Sequence, residues 1–380
     1  MTSSPLGPNP IRVAVVDDSA LMRRIIMGAL SSTDDIVVVA TAGDAQEARA
    51  LIRTEAPDVI TLDVTMPGMS GLDLLEKIML LRPMPVIMVS SSTAEGAETS
   101  ITALQMGAFE VLQKPQSPEA LDAFASQLQA KIRMAALSNL GRDTRVGPHG
   151  VPAGGLARSG QPVARRGLVA MGASTGGVSA LGRILSELPR SMPPIVIVQH
   201  MPKGYPERFA QRLAASLGSD VAVAADGELL RPGMVRLAPG DWHLQVAARR
   251  TGIMTILSDL PPVTGHRPSV DVLFESVARS AGSGAVGVIL TGMGRDGAAG
   301  LGAMYRAGAV CLAQGSRSSV VWGMPRAAVE AGSVTEVVEL DGLAERICHH
   351  AAWPGGGPEP GASPDRSASL RFAERLPPDA

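Results

Sequence analysis

Cysteine is scarce in this chain: Cys311 and Cys348 are the only two in 380 residues. One pair builds neither a disulfide framework nor a thiolate metal cluster, so both read as small apolar side chains. Aromatic residues make up only 3%, too few for a surface that stacks nucleic-acid bases. Neither sign of charge is in excess. The formal net charge of −2 gives no pull toward a polyanion, and no nucleic-acid partner is expected. No apolar run approaches the ~20 residues of a membrane-spanning helix. Residues 1–10 are polar and proline-rich, unlike a secretory leader. The expectation is a cytoplasmic protein that does not insert into a membrane. What the chain does have is 45% apolar residues, enough for large cores, and a length that suggests two or three domains.

The pattern organises into two folded units. In the first, 11–137, apolar strands at 11–16, 36–40, 59–62, 85–89 and 109–112 alternate with amphipathic helices. That alternation implies a parallel sheet covered on both faces. In such sheets the working residues lie beyond the carboxyl ends of the strands. Asp17, Asp18, Asp63, Ser90 and Lys114 stand there. Three converging carboxylates repel one another and suit a hard divalent cation such as Mg²⁺. A lysine and a hydroxyl beside them suit an incoming phosphoryl group.

This set, together with Met66-Pro67, Gly71 and Lys114-Pro115, resembles the receiver domain of bacterial two-component response regulators. The resemblance implies a flavodoxin-like, doubly wound α/β fold. It implies Asp63 as phosphoacceptor, Asp17, Asp18 and Asp63 as the Mg²⁺ site, and Ser90 and Lys114 as sensors of the phosphoryl group. Many receivers place an aromatic residue three positions before the lysine. Val111 stands there in this chain, so aromatic reorientation cannot be the readout of phosphorylation.

Residues 138–165 read as a flexible linker, with eight glycines and prolines between Gly141 and Gly160 and no periodic apolar face. Residues 351–380, rich in Gly, Pro, Ser and charge, read as a disordered tail.

The second unit, 166–350, opens with the stretch Leu168 to Gly177. A short apolar run ends in Gly172-Ala173-Ser174-Thr175-Gly176-Gly177, and Val178, Leu181, Ile184, Leu185 and Leu188 follow at helical spacing. Strand, tight turn, helix is the expected order, with Ser174 at the carboxyl end of the strand. Taken alone, such a serine more often caps a helix than attacks a substrate. Two further residues change the balance. His200 follows the apolar run 195–199, and Asp296 follows the run 285–290. In one parallel sheet the three would share an edge. Histidine can take the serine proton near neutrality, and an aspartate can hold the tautomer of the ring. Gly292-Met293-Gly294 lies close enough in sequence to offer a backbone N–H to an oxyanion. The order Ser, His, Asp differs from that of α/β-hydrolases, where the acid precedes the histidine. Of the remaining histidines, His243 falls in a region read as antiparallel strands at 234–242 and 244–257, His266 in a loop able to line the pocket, and His349 and His350 at the end of a late helix, on the surface.

From about Gly167 to Leu343 the chain is similar to the catalytic domain of the CheB family of chemotaxis protein-glutamate methylesterases. The runs that carry the similarity are the Ser174 turn, Gln199-His200-Met201-Pro202, 266–271, Thr291 to Gly294 with Asp296-Gly297, and Gly323-Met324-Pro325. A receiver joined by a linker to this domain is that family's architecture. The resemblance implies a second α/β domain with a mainly parallel sheet, Ser174, His200 and Asp296 as a catalytic triad, and the Met293 backbone in the oxyanion hole. It implies methyl-accepting chemotaxis receptors as substrate, a chemotaxis histidine kinase as phosphodonor, and deamidation of receptor glutamines as a companion activity. Mg²⁺ would serve receiver phosphorylation, and ester hydrolysis would need no cofactor. The family commonly has Asp-Glu after the glutamine at Gln314; Gly315-Ser316 stand here. Two other readings remain open at this stage: a non-catalytic signalling adaptor, and a serine hydrolase of the same fold acting on a different acyl group.

Overall fold

The computed structural model describes residues 10–66, 68–90, 94–138 and 167–351. The expected linker and tail lie outside the described residues, except that Ser138 caps the last helix of the first unit and Ala351 ends the last helix of the second.

In the first unit β1 (Ile11–Val16), β2 (Ile36–Ala42), β3 (Val59–Asp63), β4 (Val86–Ser90) and β5 (Glu110–Gln113) alternate with α1 (Ala20–Leu30), α2 (Ala45–Glu55), α3 (Gly71–Leu81), α4 (Ala94–Gln105) and α5 (Leu121–Leu137). The strands are parallel in the order β2-β1-β3-β4-β5. β3 and β4 are buried along their full length, as central strands covered on both faces must be. Ser19, Asp44 and Ser70 start three of the helices by accepting backbone N–H groups, and Ser70 closes a reciprocal capping box with Asp73. Strand order reverses between β1 and β3. The crevice at that point receives Asp17 and Asp63.

The second unit contains β6 (Leu168–Ala173), β7 (Ile195–Gln199), β8 (Asp220–Val223), β9 (Met234–Leu237), β10 (His243–Arg249), β11 (Gly252–Ser258), β12 (Ala285–Ile289), β13 (Val310–Gln314) and β14 (Glu336–Val338). Its helices are α6 (Gly177–Glu187), α7 (Tyr205–Leu217), α8 (Val270–Ser280), α9 (Ala298–Arg306), α10 (Met324–Glu330) and α11 (Leu340–Ala351). Seven strands form one sheet, β14-β13-β12-β6-β7-β9-β8, with every pair parallel. The order reverses between β6 and β12. Ser174 follows the first of these and the Asp296 loop follows the second.

The structure corrects the strands expected at 234–242 and 244–257. β9 joins the parallel sheet between β7 and β8, and the pairing continues through Ala238 N–H to the Ile197 carbonyl at 2.8 Å. Pro239-Gly240 is therefore no hairpin turn; a Cβ on Gly240 would lie 2.7 Å from the Lys203 backbone. The antiparallel hairpin is β10–β11 instead, and it reverses at Arg250-Thr251, where Arg249 faces Gly252. Gly252 has φ +133°, a conformation open to glycine but resisted by other residues. β14 has only three residues at a sheet edge, too short for a periodic signal.

The two units touch. α4 of the receiver packs on α6 and α7, and Ile101 is buried in the same cluster as Val178 and Tyr205. The Arg212 guanidinium donates to Thr102 Oγ1 at 2.6 Å, and Tyr205 Oη to Ser100 Oγ at 3.5 Å.

Candidate active site

β6 ends at Ala173, and the Ser174 N–H is held by the Thr291 carbonyl at 3.0 Å. The turn that follows is made possible by Gly176, whose φ of +78° a side chain would resist. Gly172 is required by packing: a Cβ there would overlap Val270. Gly292 presses on the serine, and a Cβ on it would lie 2.7 Å from Ser174 Cβ. The serine is thus wedged between the ends of β6 and β12, with its side chain on the cleft.

His200 follows β7, its N–H bonded to the Ala173 carbonyl at 3.1 Å. Its Nε2 lies 2.8 Å from Asp296 Oδ2. Its other ring nitrogen, Nδ1, is buried and has no hydrogen-bond partner among the described residues. Asp296 is 1% exposed and lies in the loop before α9, with its carboxylate against the N-terminus of α8. Ser269 Oγ donates to its Oδ1 at 2.7 Å, the Val270 N–H to its Oδ2 at 2.8 Å, and the Asp271 N–H to its Oδ1 at 3.2 Å. Burial alone would raise this carboxyl, but the His200, Ser269 and Val270 donors outweigh burial and hold it well below the ordinary carboxylate value. An acid so placed stays ionised and can orient an imidazole. Ser174, His200, His266 and Met293 line one cleft of about 730 Å³, whose other wall is the receiver, through Glu110 and Lys131. Met293 is 47% exposed, and its N–H enters none of the hydrogen bonds among the described residues.

In the receiver crevice one carboxylate oxygen from each of Asp17, Asp18 and Asp63 falls within 4.8 Å of the others. Lys114 Nζ lies 3.0 Å from Asp17 Oδ2 and 2.9 Å from Asp63 Oδ2. Burial raises the Asp63 carboxyl, and the Asp17 charge adds to that rise against Lys114. Ser90 is buried at the end of β4, and its carbonyl accepts the Lys114 N–H at 2.8 Å. The all-oxygen donor set, with two of its members buried and like-charged, fits a hard divalent cation.

The family model described as CheB methylesterase matches residues 169–347, and that described as response regulator receiver domain matches residues 13–126. The chain is 48% identical over 339 residues to a protein-glutamate methylesterase/protein-glutamine glutaminase of Salmonella typhi, covering 89% of this chain and 96% of the relative. It is also 48% identical over 338 residues to protein-glutamate methylesterase/protein-glutamine glutaminase 1 of Caulobacter vibrioides, covering 89% and 97%. The chain belongs to this methylesterase family. Among solved structures, the catalytic domain of the Thermotoga maritima CheB methylesterase is 36% identical, covers 48% of this chain and 98% of its own, and gives a TM-score of 0.47.

Several features of this family member escape the sequence. Ser269 and the first N–H groups of α8 surround Asp296; their only trace was the run 266–271. Gln199 is buried and donates Nε2 to the Ser174 carbonyl at 2.9 Å, steadying the turn. Arg23 Nη1 braces the acidic turn by donating to the Asp17 carbonyl at 2.6 Å. Gly315 has a partner in Glu339: a side chain at 315 would overlap that carboxylate, which accepts the Ser318 N–H at 2.9 Å. A carboxylate therefore reaches this loop from 339 instead of 315. His243 is fully buried and bonded to the Pro261 carbonyl and the Ser269 N–H, a structural placement. His349 is exposed as expected, but His350 is not a free surface group. It contacts Glu336 at 2.8 Å beside Arg346. Cys311 is buried and Cys348 half-buried.

Proposed function

We propose that this chain hydrolyses glutamate γ-methyl esters on methyl-accepting chemoreceptors, with Ser174 as nucleophile, His200 as base and Asp296 as the orienting acid. The observation that carries the reading is the His200–Asp296 bond at 2.8 Å, which leaves the other nitrogen of a ring that lines the cleft with Ser174 without a partner among the described residues. Asp296 accepts from Nε2, so Nδ1 takes the Ser174 proton as Oγ attacks the ester carbonyl. The Met293 N–H meets the oxyanion. On collapse His200 returns the proton to methoxide, methanol leaves, and water, deprotonated by the same base, releases the glutamate. A glutamine side chain follows the same course, with ammonia leaving. Ester hydrolysis by these groups proceeds without a cofactor.

Control belongs to the receiver. Asp63 is the phosphoacceptor and receives its phosphoryl group from a chemotaxis histidine kinase in the cytoplasm; Ser90 and Lys114 contact the group once it is in place. Mg²⁺ held by Asp17, Asp18 and Asp63 would offset the negative charge that these acids and the phosphoryl group bring together. The unphosphorylated receiver restricts the cleft. Its Glu110, paired with Lys131 at 3.2 Å, accepts from Thr175 Oγ1 at 3.2 Å, one residue beyond the nucleophile. Phosphorylation would weaken that contact. Among the described residues no helix is long and apolar enough to cross a membrane, which suits an enzyme that meets membrane receptors from the side of their exposed helices.

The test is methanol release from radiolabelled, methylated receptor membranes, with and without a small-molecule phosphodonor and Mg²⁺. Wild type should release methanol, more so with the phosphodonor, and Ser174→Ala should release none. A folded, phosphorylated wild type that released nothing from several receptors would return the chain to the adaptor reading. Cleavage of small esters alone would favour a different acyl substrate.

A further inference from the structure

His200 is gripped by more than its acid. The ring of His266 lies flat against it, with centroids 3.8 Å apart and 7° between the planes. The loop that delivers His266 is itself pinned. His266 and Val263 exchange two backbone hydrogen bonds, at 2.9 and 3.0 Å. The next residue, Arg267, donates Nη1 to the carbonyls of Asp259 at 2.8 Å and Leu260 at 3.3 Å. Three residues beyond His266, Ser269 binds the same Asp296 carboxylate that holds His200. One loop therefore supports both the edge and the face of the base.

We infer that His266 is a positioning residue for His200: its aromatic face fixes the plane of the imidazole and stabilises the imidazolium that forms when Ser174 gives up its proton. This rests on the assignment of His200 as the base. The face matters because Asp296 constrains only one ring atom, about which the imidazole can still tilt. A neutral aromatic ring in face-to-face contact removes that freedom, and it attracts a cation through its π system. The ionisable groups around His266 are consistent with a neutral ring. Burial lowers its affinity for a proton, and His200 at 3.8 Å lowers it further, against the opposing charge of Asp296. Arg267 follows it in the chain, and Lys131 and Glu110 line the same cleft from the receiver.

The experiment compares His266→Phe and His266→Leu in the full-length, phosphorylated protein on methylated receptor membranes, with thermal unfolding as a check on folding. Phenylalanine keeps a flat π face without a titratable proton. Leucine fills the space without one. His266→Phe should keep kcat within about threefold of wild type. His266→Leu should lose about tenfold in kcat with KM unchanged, the scale of a displaced catalytic group. The acid limb of kcat/KM in His266→Leu should move about half a unit to lower pH, because the imidazolium has lost its stacking partner. That limb should stay in place in His266→Phe. His200→Gln, measured beside them, should be inactive. If both His266 variants matched each other in kcat and in pH profile while His200→Gln was inactive, stacking would be irrelevant and this inference alone would fall. An active His200→Gln would overturn the assignment of the base, and the inference with it.

Discussion

Two buried aspartates, Asp63 and Asp296, occupy equivalent places in two similar sheets. Asp63 ends β3 and Asp296 lies in the loop after β12, each at the carboxyl edge of its sheet next to the point where strand order reverses. Their surroundings are opposite. Asp296 is ringed by donors: an imidazole, a serine hydroxyl and the first N–H groups of α8. Asp63 is crowded by the carboxylates of Asp17 and Asp18, with Lys114 as its one close cation among the described residues. Donors hold the first acid ionised and make it a fixed orienting charge. Burial, and after it the charge of Asp17, make the second costly to ionise, and its carboxylate-lined crevice suits a cation. The topology supplies a place; the neighbours decide whether that place holds an acid fixed among donors, as the proposed triad needs, or one crowded by like charge, as the proposed phosphoacceptor needs.

The contrast can be broken most severely at Asp296. Asp296→Asn keeps the shape and removes the charge, and it should lower kcat for methanol release by about 10³–10⁴-fold, since an amide that donates to His200 would enforce the wrong tautomer. A loss below tenfold would mean that the donors around Asp296 serve folding alone. Second in size is the response to metal. Withdrawing Mg²⁺ with a chelator should abolish stimulation by the phosphodonor and leave the unstimulated rate within about twofold, because the proposed hydrolysis uses Ser174, His200 and Asp296 alone while the carboxylate-rich crevice suits a cation. Equal loss of both rates on chelation would contradict the separation of the two sites.

The smallest effect concerns a third buried acid, Asp271, beside Asp296. Burial, with Asp296 adding to it, pushes its carboxyl up to about 6, although it accepts the Gly300 N–H at 2.7 Å. A raised acid contributes stability in full below its unfolded value of 3.8 and loses that contribution as pH rises through about 6. Asp296 runs the other way: its contribution is present above the ordinary carboxylate value and is lost only on acidification. Asp271→Asn mimics the protonated form. Denaturant unfolding should show the variant more stable than wild type at pH 8 by about 1–2 kcal/mol, with the difference gone at pH 4. An equal difference at both pH values would show that Asp271 does not titrate in this range.

Much of this was legible from local signals, because the strands are short apolar runs: Asp17, Lys114, Ser174 and His200 each stand one residue beyond such a run, and Asp63 ends β3. Sequence alone places Asp17, Asp63, Lys114, Ser174 and His200 at strand ends, and Asp296 in the loop after the run 285–290. The pairing of β9 was not legible, since four residues, three of them apolar, look the same in a hairpin and in a parallel sheet; only pairing with β7 and β8 settles the matter. The donors around Asp296 were hidden because backbone N–H groups have no sequence identity. Their direction depends on where α8 begins relative to a loop 25 residues away. The same holds for the His266 stack on His200 and for Glu339 filling the space beside Gly315. By itself the sequence determined the alternation of strands and helices and which chemical groups stand at the strand ends, because both are properties of neighbours along the chain. Tertiary structure decided which of those groups touch, which are ionised and which face is covered, because electrostatics and packing act through space between residues that the chain keeps far apart.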